Sequence, residues 1–211
     1  MLEKIKNLFK KETEEQFLEN SLDEKIENLF DSLRGDVITL CFGEDFIELK
    51  KLIMDTTWDF REELKEKTGF ILPAIHILSD ETLQENEIVV KVREKNVLQK
   101  FAIPNKTETE KEIKESLDFV YKNFLDEIFT YEIAEKYINT AQKTLLGTIW
   151  HVTAMYTVTE VREVLIKLLK NKKSIKNIVY VFEKFAECSL DSGFYTHNNP
   201  RKIAQELCSM L

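Results

Sequence analysis

Residues 61–92 read "REELKEKTGFILPAIHILSDETLQENEIVVKV": a charged helical end, a glycine, and then strand-forming sequence. Gly69 stands where a helix stops in a left-handed residue. Pro73 cannot donate to a ladder, so the following "FILPAIHIL" fits a strand that begins late or lies at an edge. Working back, Phe46, Leu49, Ile53, Phe60 and Leu64 recur at helical intervals. Ahead of them "DVITLCF" (36–42) is β-branched and ends at Gly43, as a strand would. Working forward, "EIVVKV" and "VLQKFAI" flank the polar link "REKN" and read as a hairpin. The order is β, α, β, β, β.

Past Pro104 and the polar stretch "NKTETEKE", which reads as a linker, the apolar period becomes helical and stays so. Ile113, Leu117, Val120, Tyr121, Phe124 and Ile128 form one stripe, continued by Ile133, Tyr137 and Ile138 after Thr130. In "TVTEVREVLIKLLKNKKS", Thr157 and Glu160 stand in capping-box register above Val161, Val164, Leu165, Leu168 and Leu169. Ser174 is the expected cap of "IKNIVYVFEKFAE", and two such helices joined by a short turn pack as an αα-hairpin. Pro200 after Asn199 opens a last helix. The expected fold is α+β, a small mixed sheet with a packed helix followed by an all-α helical subdomain. The expected divisions are an N-terminal helical arm over 1–35, an α+β subdomain over 36–104 and a helical subdomain over 105–211. In the arm, Leu2, Ile5 and Phe9 alternate with Lys4, Lys6, Lys10 and Lys11, and Ser21 with Glu24 opens a second helix ending at Gly35.

Composition narrows the function. With 30 Lys plus Arg against 38 Asp plus Glu, the net charge of −8 disfavours nucleic acid, which needs a concentrated basic footprint. The charge is uneven: residues 1–100 carry 15 basic and 23 acidic side chains, residues 151–211 carry 9 and 6. Three scattered cysteines, Cys41, Cys188 and Cys208, and no signal-peptide pattern point to a reducing cytoplasm. The longest uncharged stretch, "TLLGTIWHVTAMYTVT", is too short and too polar for a spanning helix, so no transmembrane segment is expected.

The residues that carry chemistry are sparse. His76, His151 and His197 lack companions at metal-ligand spacing, and neither G-x-S-x-G, a P-loop nor G-x-G-x-x-G occurs. The carboxylates of "REELKEK" and "EKEIKES" alternate with lysines as solvated helix faces do. Cys41 reads as core, and Trp58 and Trp150 as packing residues. No catalytic, cofactor or metal residue is expected, and the chain reads as a protein that binds proteins.

Two segments add a resemblance. Residues 61–92 resemble the cytoplasmic domain of the flagellar and type III secretion export-gate (FHIPEP) family, through Arg61, Leu64, Gly69, Pro73, Ile75, Ile77, Asp80, Leu83, Asn86 and Glu87. The segment "TVTEVREVLIKLLKNKKSIKNIVYVFEKFAE" is similar to that family's helical subdomain at Val164, Leu165, Leu168, Leu169, Ser174, Ile175, Phe182, Glu183 and Ala186, with Lys176 and Asn177 where the family has Arg and Asp. The family's membrane domain, chaperone-receiving insertion and final α/β subdomain have no counterpart in this sequence. The resemblance therefore implies a soluble, non-catalytic interaction and assembly domain, acting as an accessory or regulator of protein export or reused elsewhere. It also implies self-association through the helical subdomain, with Arg162, Lys170, Lys172, Lys173 and Lys176 as contact residues. Lys4, Lys6, Lys10 and Lys11 would attach the arm to an acidic partner or to an anionic membrane surface. The alternative is a small enzyme with a site in the cleft between the two lobes.

Overall fold

The computed structural model describes residues 35–190 and 199–211, and residues 36–211 form one compact unit. The expected α+β class is borne out: a four-stranded mixed sheet precedes a run of helices, eight in all among the described residues. Strand β1 (Ile38–Phe42) leads through a 3-10 segment (Glu44–Leu49) into helix α1 (Lys50–Thr68), which crosses back to β2 (Ile75–Ser79). The hairpin β3 (Glu87–Val92) and β4 (Lys95–Phe101) completes the sheet in the order β2-β1-β3-β4. β2 runs parallel to β1, and the other pairs are antiparallel. Parallel pairing follows from the helical crossover, which returns the chain to the same end of the sheet.

Ile38, Leu40 and Phe42 of β1 lie on one face, beside Ile88, Val90 and Val92 of β3, and all are buried in the main core. Cys41, on the opposite face, is buried as expected. The hairpin turn is shorter than the sequence reading: only Arg93 and Glu94 form it, at φ 46° and 68°, while Lys95 and Asn96 already belong to β4. Two left-handed residues match the twist of the flanking strands, although neither is the Gly or Asn usual there.

The stretch "NKTETEKE" is not a linker. It forms the first turns of α2 (Lys106–Asn123), with the Asn105 side chain accepting from Glu108 N at 3.0 Å. An N-cap asparagine satisfies an otherwise orphaned donor, and the polar composition reflects exposure. Then come α3 (Leu125–Ile128), α4 (Tyr131–Gln142), α5 (Leu146–Met155), α6 (Val158–Lys170), α7 (Ile178–Leu190) and α8 (Pro200–Met210). The capping box of Thr157 and Glu160 is present on α6. Helix α7 begins later than expected, with Asn177 accepting from Tyr180 N at 3.2 Å, while Ser174 accepts from Lys176 N within the preceding turn. Asn and Ser are comparable caps. Among the described residues, no helix is long and apolar enough to cross a membrane.

One apolar core runs from the sheet into the helices, and the join is built on the end of α1. Gly69 has φ 80°, and a Cβ there would stand 2.2 Å from Lys176 N. The Tyr137 hydroxyl donates to Gly69 O at 2.6 Å and accepts from Ile71 N at 2.8 Å. Ile175 N donates to Thr68 O at 2.8 Å. Phe70, fully buried, stacks on Phe129 at 5.2 Å and on Tyr121 at 5.8 Å between ring centroids. Backbone polar groups at a helix end are thus satisfied by groups distant in sequence, as burial demands.

Two outcomes are expected. Gly69→Ala combines a left-handed backbone with a clash against the 175–176 backbone and should cost more than about 2 kcal/mol in urea denaturation. Burial pushes the Tyr137 phenol from 10.0 up to about 12. The unfolded chain therefore ionises first. The contribution of Tyr137 to stability should be intact below pH 10 and be lost between pH 10 and about 12, a total on the order of 3 kcal/mol. Tyr137→Phe should abolish that alkaline step and lower stability at neutral pH by about 1–3 kcal/mol.

Candidate interaction groove

Helices α1 and α2 and the turn between α6 and α7 enclose an open groove of about 800 Å³. Its apolar lining comes from Phe60 and Leu64 on α1, Tyr121 on α2, Leu125 on α3 and Leu169 on α6. The same spacing that buries Phe60 and Leu64 places Glu63 and Lys67 at the groove. Six lysines line it, Lys67, Lys114, Lys122, Lys170, Lys172 and Lys173, against Glu63, Glu115 and Asp118. Some of this charge is paired: Lys114 with Glu63 at 2.6 Å, Lys122 with Asp118 at 2.5 Å, and Lys170 with Asp126. Lys67, Lys172 and Lys173 make no ion pair among the described residues. Groove and charge together suit an acidic, partly apolar segment of a partner.

Lys172 reaches this position through its backbone. Lys172 N donates to Leu169 O and Lys173 N to Leu168 O, both at 2.9 Å, and Lys172 has φ 59°. This is a Schellman ending with lysine where glycine is favoured, so a charged side chain is held at some conformational cost.

The residues expected to make contacts separate into groups. Lys170, Lys172 and Lys173 gather at the groove, and Lys176 pairs nearby with Glu66 on α1. Arg162 makes its contacts within its own chain: its guanidinium donates to the carbonyls of Phe129 and Asp126, and it lies 5.4 Å from the Tyr131 ring centroid. A cation at these carbonyls complements the end of α3. Lys4, Lys6, Lys10 and Lys11 lie outside the described residues. Sequence reasoning missed the contributions of Lys67, Lys114 and Lys122, because α1 and α2 are brought beside the α6–α7 turn only by tertiary packing. The expectation that Trp58 and Trp150 pack inside is corrected: they are 57% and 73% exposed. Their helices bury the opposite faces through Thr57, Phe60, Ile149 and Val152.

Burial raises the thiols of Cys41 and Cys208 and the phenols of Tyr121 and Tyr137, favouring the protonated form in each. Among the described residues, no group of three His, Cys, Asp or Glu side chains could hold a metal ion.

No family model matches the chain, and no curated protein matches it. Solved structures do. The CdsV protein of Chlamydia pneumoniae aligns with a TM-score of 0.70 at 13% identity, over 82% of this chain and 65% of that one. CdsV also matches in its complex with CdsO, with a TM-score of 0.70. The nonameric EscV cytosolic domain from the type III secretion system gives 0.66 at 12% identity, over 84% and 63%. This chain has the fold of a type III secretion cytosolic domain. The MxiA protein of Shigella flexneri agrees, at 0.63 and 16% identity over 82% and 62%. The resemblance carried by the two sequence motifs thus holds at the level of fold. The chain spans just under two thirds of the length of these structures.

Because Lys172 occupies a left-handed position, Lys172→Gly should raise stability by about 0.5–1 kcal/mol, whereas Lys172→Val should lower it, as measured by thermal denaturation.

Proposed function

We propose that this chain is a non-catalytic interaction and assembly domain, working in the cytoplasm as an accessory or regulator of a type III-like protein-export apparatus. The observation that carries this reading is the fold match to a nonameric cytosolic domain and to a protein solved with a partner chain. The lysine-lined groove and the upward-shifted thiols and phenols support binding over catalysis.

The proposed assembly contact joins the basic end of one copy to the acidic sheet region of the next. Residues 36–92 carry 13 acidic and 6 basic side chains, while residues 151–211 carry 6 and 9. Head-to-tail contacts of this kind close into rings when the rotation permits. Lys172 and Lys173 are the side chains best placed to cross such a contact, with Lys170 and Lys176 beside them already paired within the chain. The basic arm, through Lys4, Lys6, Lys10 and Lys11, is proposed to attach the domain to an acidic protein partner.

Multi-angle light scattering at rising protein concentration and low salt should show mass growing beyond 24.9 kDa. Raising the salt should reverse the growth, because exposed charges are screened. A Lys172→Glu, Lys173→Glu double substitution should abolish it without lowering the melting temperature. Arg162→Ala should instead destabilise the fold by about 1–3 kcal/mol, since it strips charged donors from two carbonyls. A mass fixed at the monomer across the range would refute the assembly contact.

A further inference from the structure

Strand β2 ends the sheet among the described residues. Asp80 N donates to Phe42 O at 3.0 Å, continuing the β1 ladder past the end of β2. Alternation along a strand then turns the backbone groups of His76 and Leu78 toward β1, and those of Ile75, Ile77 and Ser79 away from it. Those outward N–H and C=O groups make no hydrogen bond among the described residues. Edges of this kind are usually blunted by lysine, proline or a bulge. Here Pro73 precedes the strand, and "IHILS" itself carries no lysine or proline.

Beside the segment that enters this edge strand lies an apolar flank with no described partner. Met54, Trp58 and Arg61 fall on the side of α1 opposite the Glu63–Lys114 pair that faces α2. Arg61 Nε donates to Leu72 O at 3.2 Å and the guanidinium stands 5.3 Å from the Trp58 ring centroid, which fixes this flank against the segment entering β2. Met54, Trp58 and Ile71 are 52%, 57% and 50% exposed. An unpaired strand edge lined by a helix bearing large apolar side chains is the form in which proteins accept an extended peptide. The charge selects the kind of peptide: residues 36–92 carry a net −7, and Asp80 and Glu81 stand at the far end of β2.

We propose that the β2 edge and the Met54–Trp58–Ile71 flank form a second binding site, which takes an extended segment of a protein partner by strand addition. The segment carries lysine or arginine alternating with apolar residues. Its backbone pairs with Ile75, Ile77 and Ser79, one row of its side chains lies on Trp58 and Met54, and the basic row meets the acidic rim. This goes beyond the assembly contact, which sets the acidic sheet region against the basic end of another copy: here the occupant is an extended segment of a different protein, held by backbone pairing at the β2 edge.

The test uses the full chain with Trp150→Phe, leaving Trp58 as the single tryptophan. The probe is a synthetic octapeptide alternating lysine and valine. Saturable change in Trp58 emission and slowed amide exchange at Ile75, Ile77 and Ser79 are expected. Methylating alternate peptide nitrogens of the probe should weaken binding at least tenfold, and a glutamate–valine octapeptide should bind at least tenfold more weakly. Ser79→Pro, which removes an outward N–H and leaves the β1 ladder whole, should weaken binding similarly with an unchanged melting temperature. Absence of saturation, or equal binding by the methylated probe, overturns the proposal. So does edge protection that appears without probe as the mass doubles, because the edge would then belong to a second copy.

Discussion

The fold depends on how the end of α1 is closed. A helix terminus leaves carbonyls that must find partners, and here the partners come from a different part of the chain: Tyr137 for Gly69 O and Ile175 for Thr68 O. The same tyrosine accepts from Ile71 N, so one hydroxyl holds both sides of the turn that sends the chain into β2. Gly69 permits this because it tolerates a left-handed backbone and because any side chain there would strike residue 176. Phe70 fills the space beneath, against Phe129 and Tyr121. Sheet and helices therefore share one core, and the position of the α6–α7 turn is fixed relative to α1.

That fixed position makes the groove. With Ile175 bonded to Thr68, the lysines of the α6–α7 turn stand opposite those of α1 and α2, over Phe60, Leu64 and Tyr121. Three of the six groove lysines are balanced by nearby carboxylates, and the unpaired remainder gives the surface its sign. Exposed pairs of this kind add little stability. The acidic sheet region and the basic helical end belong to one compact unit, the arrangement that the proposed head-to-tail contact uses.

Much of this was legible in the residues. The Gly69 stop, the late strand after Pro73, the Thr157–Glu160 capping box and the helix opened by Pro200 each rest on local rules, and each appears in the structure. The errors have local causes as well. "NKTETEKE" reads as a linker because exposed helix and loop share a polar composition, and the Asn105 cap is the signal that separates them. Ser174 and Asn177 are both competent caps, and the helix starts after Asn177, with Ile175 N bonded to Thr68 O in the turn before it. Trp58 and Trp150 read as packing residues from their apolar character alone, which says nothing of which side of a helix faces inward.

The sequence by itself determined the β-α-β-β-β order of the sheet region, most of the helices after it, the acidic-to-basic gradient, and the absence of recognisable catalytic and cofactor motifs, because each follows from neighbouring residues or from composition. Only the tertiary structure decided that Tyr137 would serve Gly69 from 68 residues away, that lysines from three elements would meet in one groove, and that β2 would end the sheet among the described residues. Those outcomes depend on which buried polar groups find partners and which apolar faces meet, and such pairings between distant segments leave no periodic mark in a single chain.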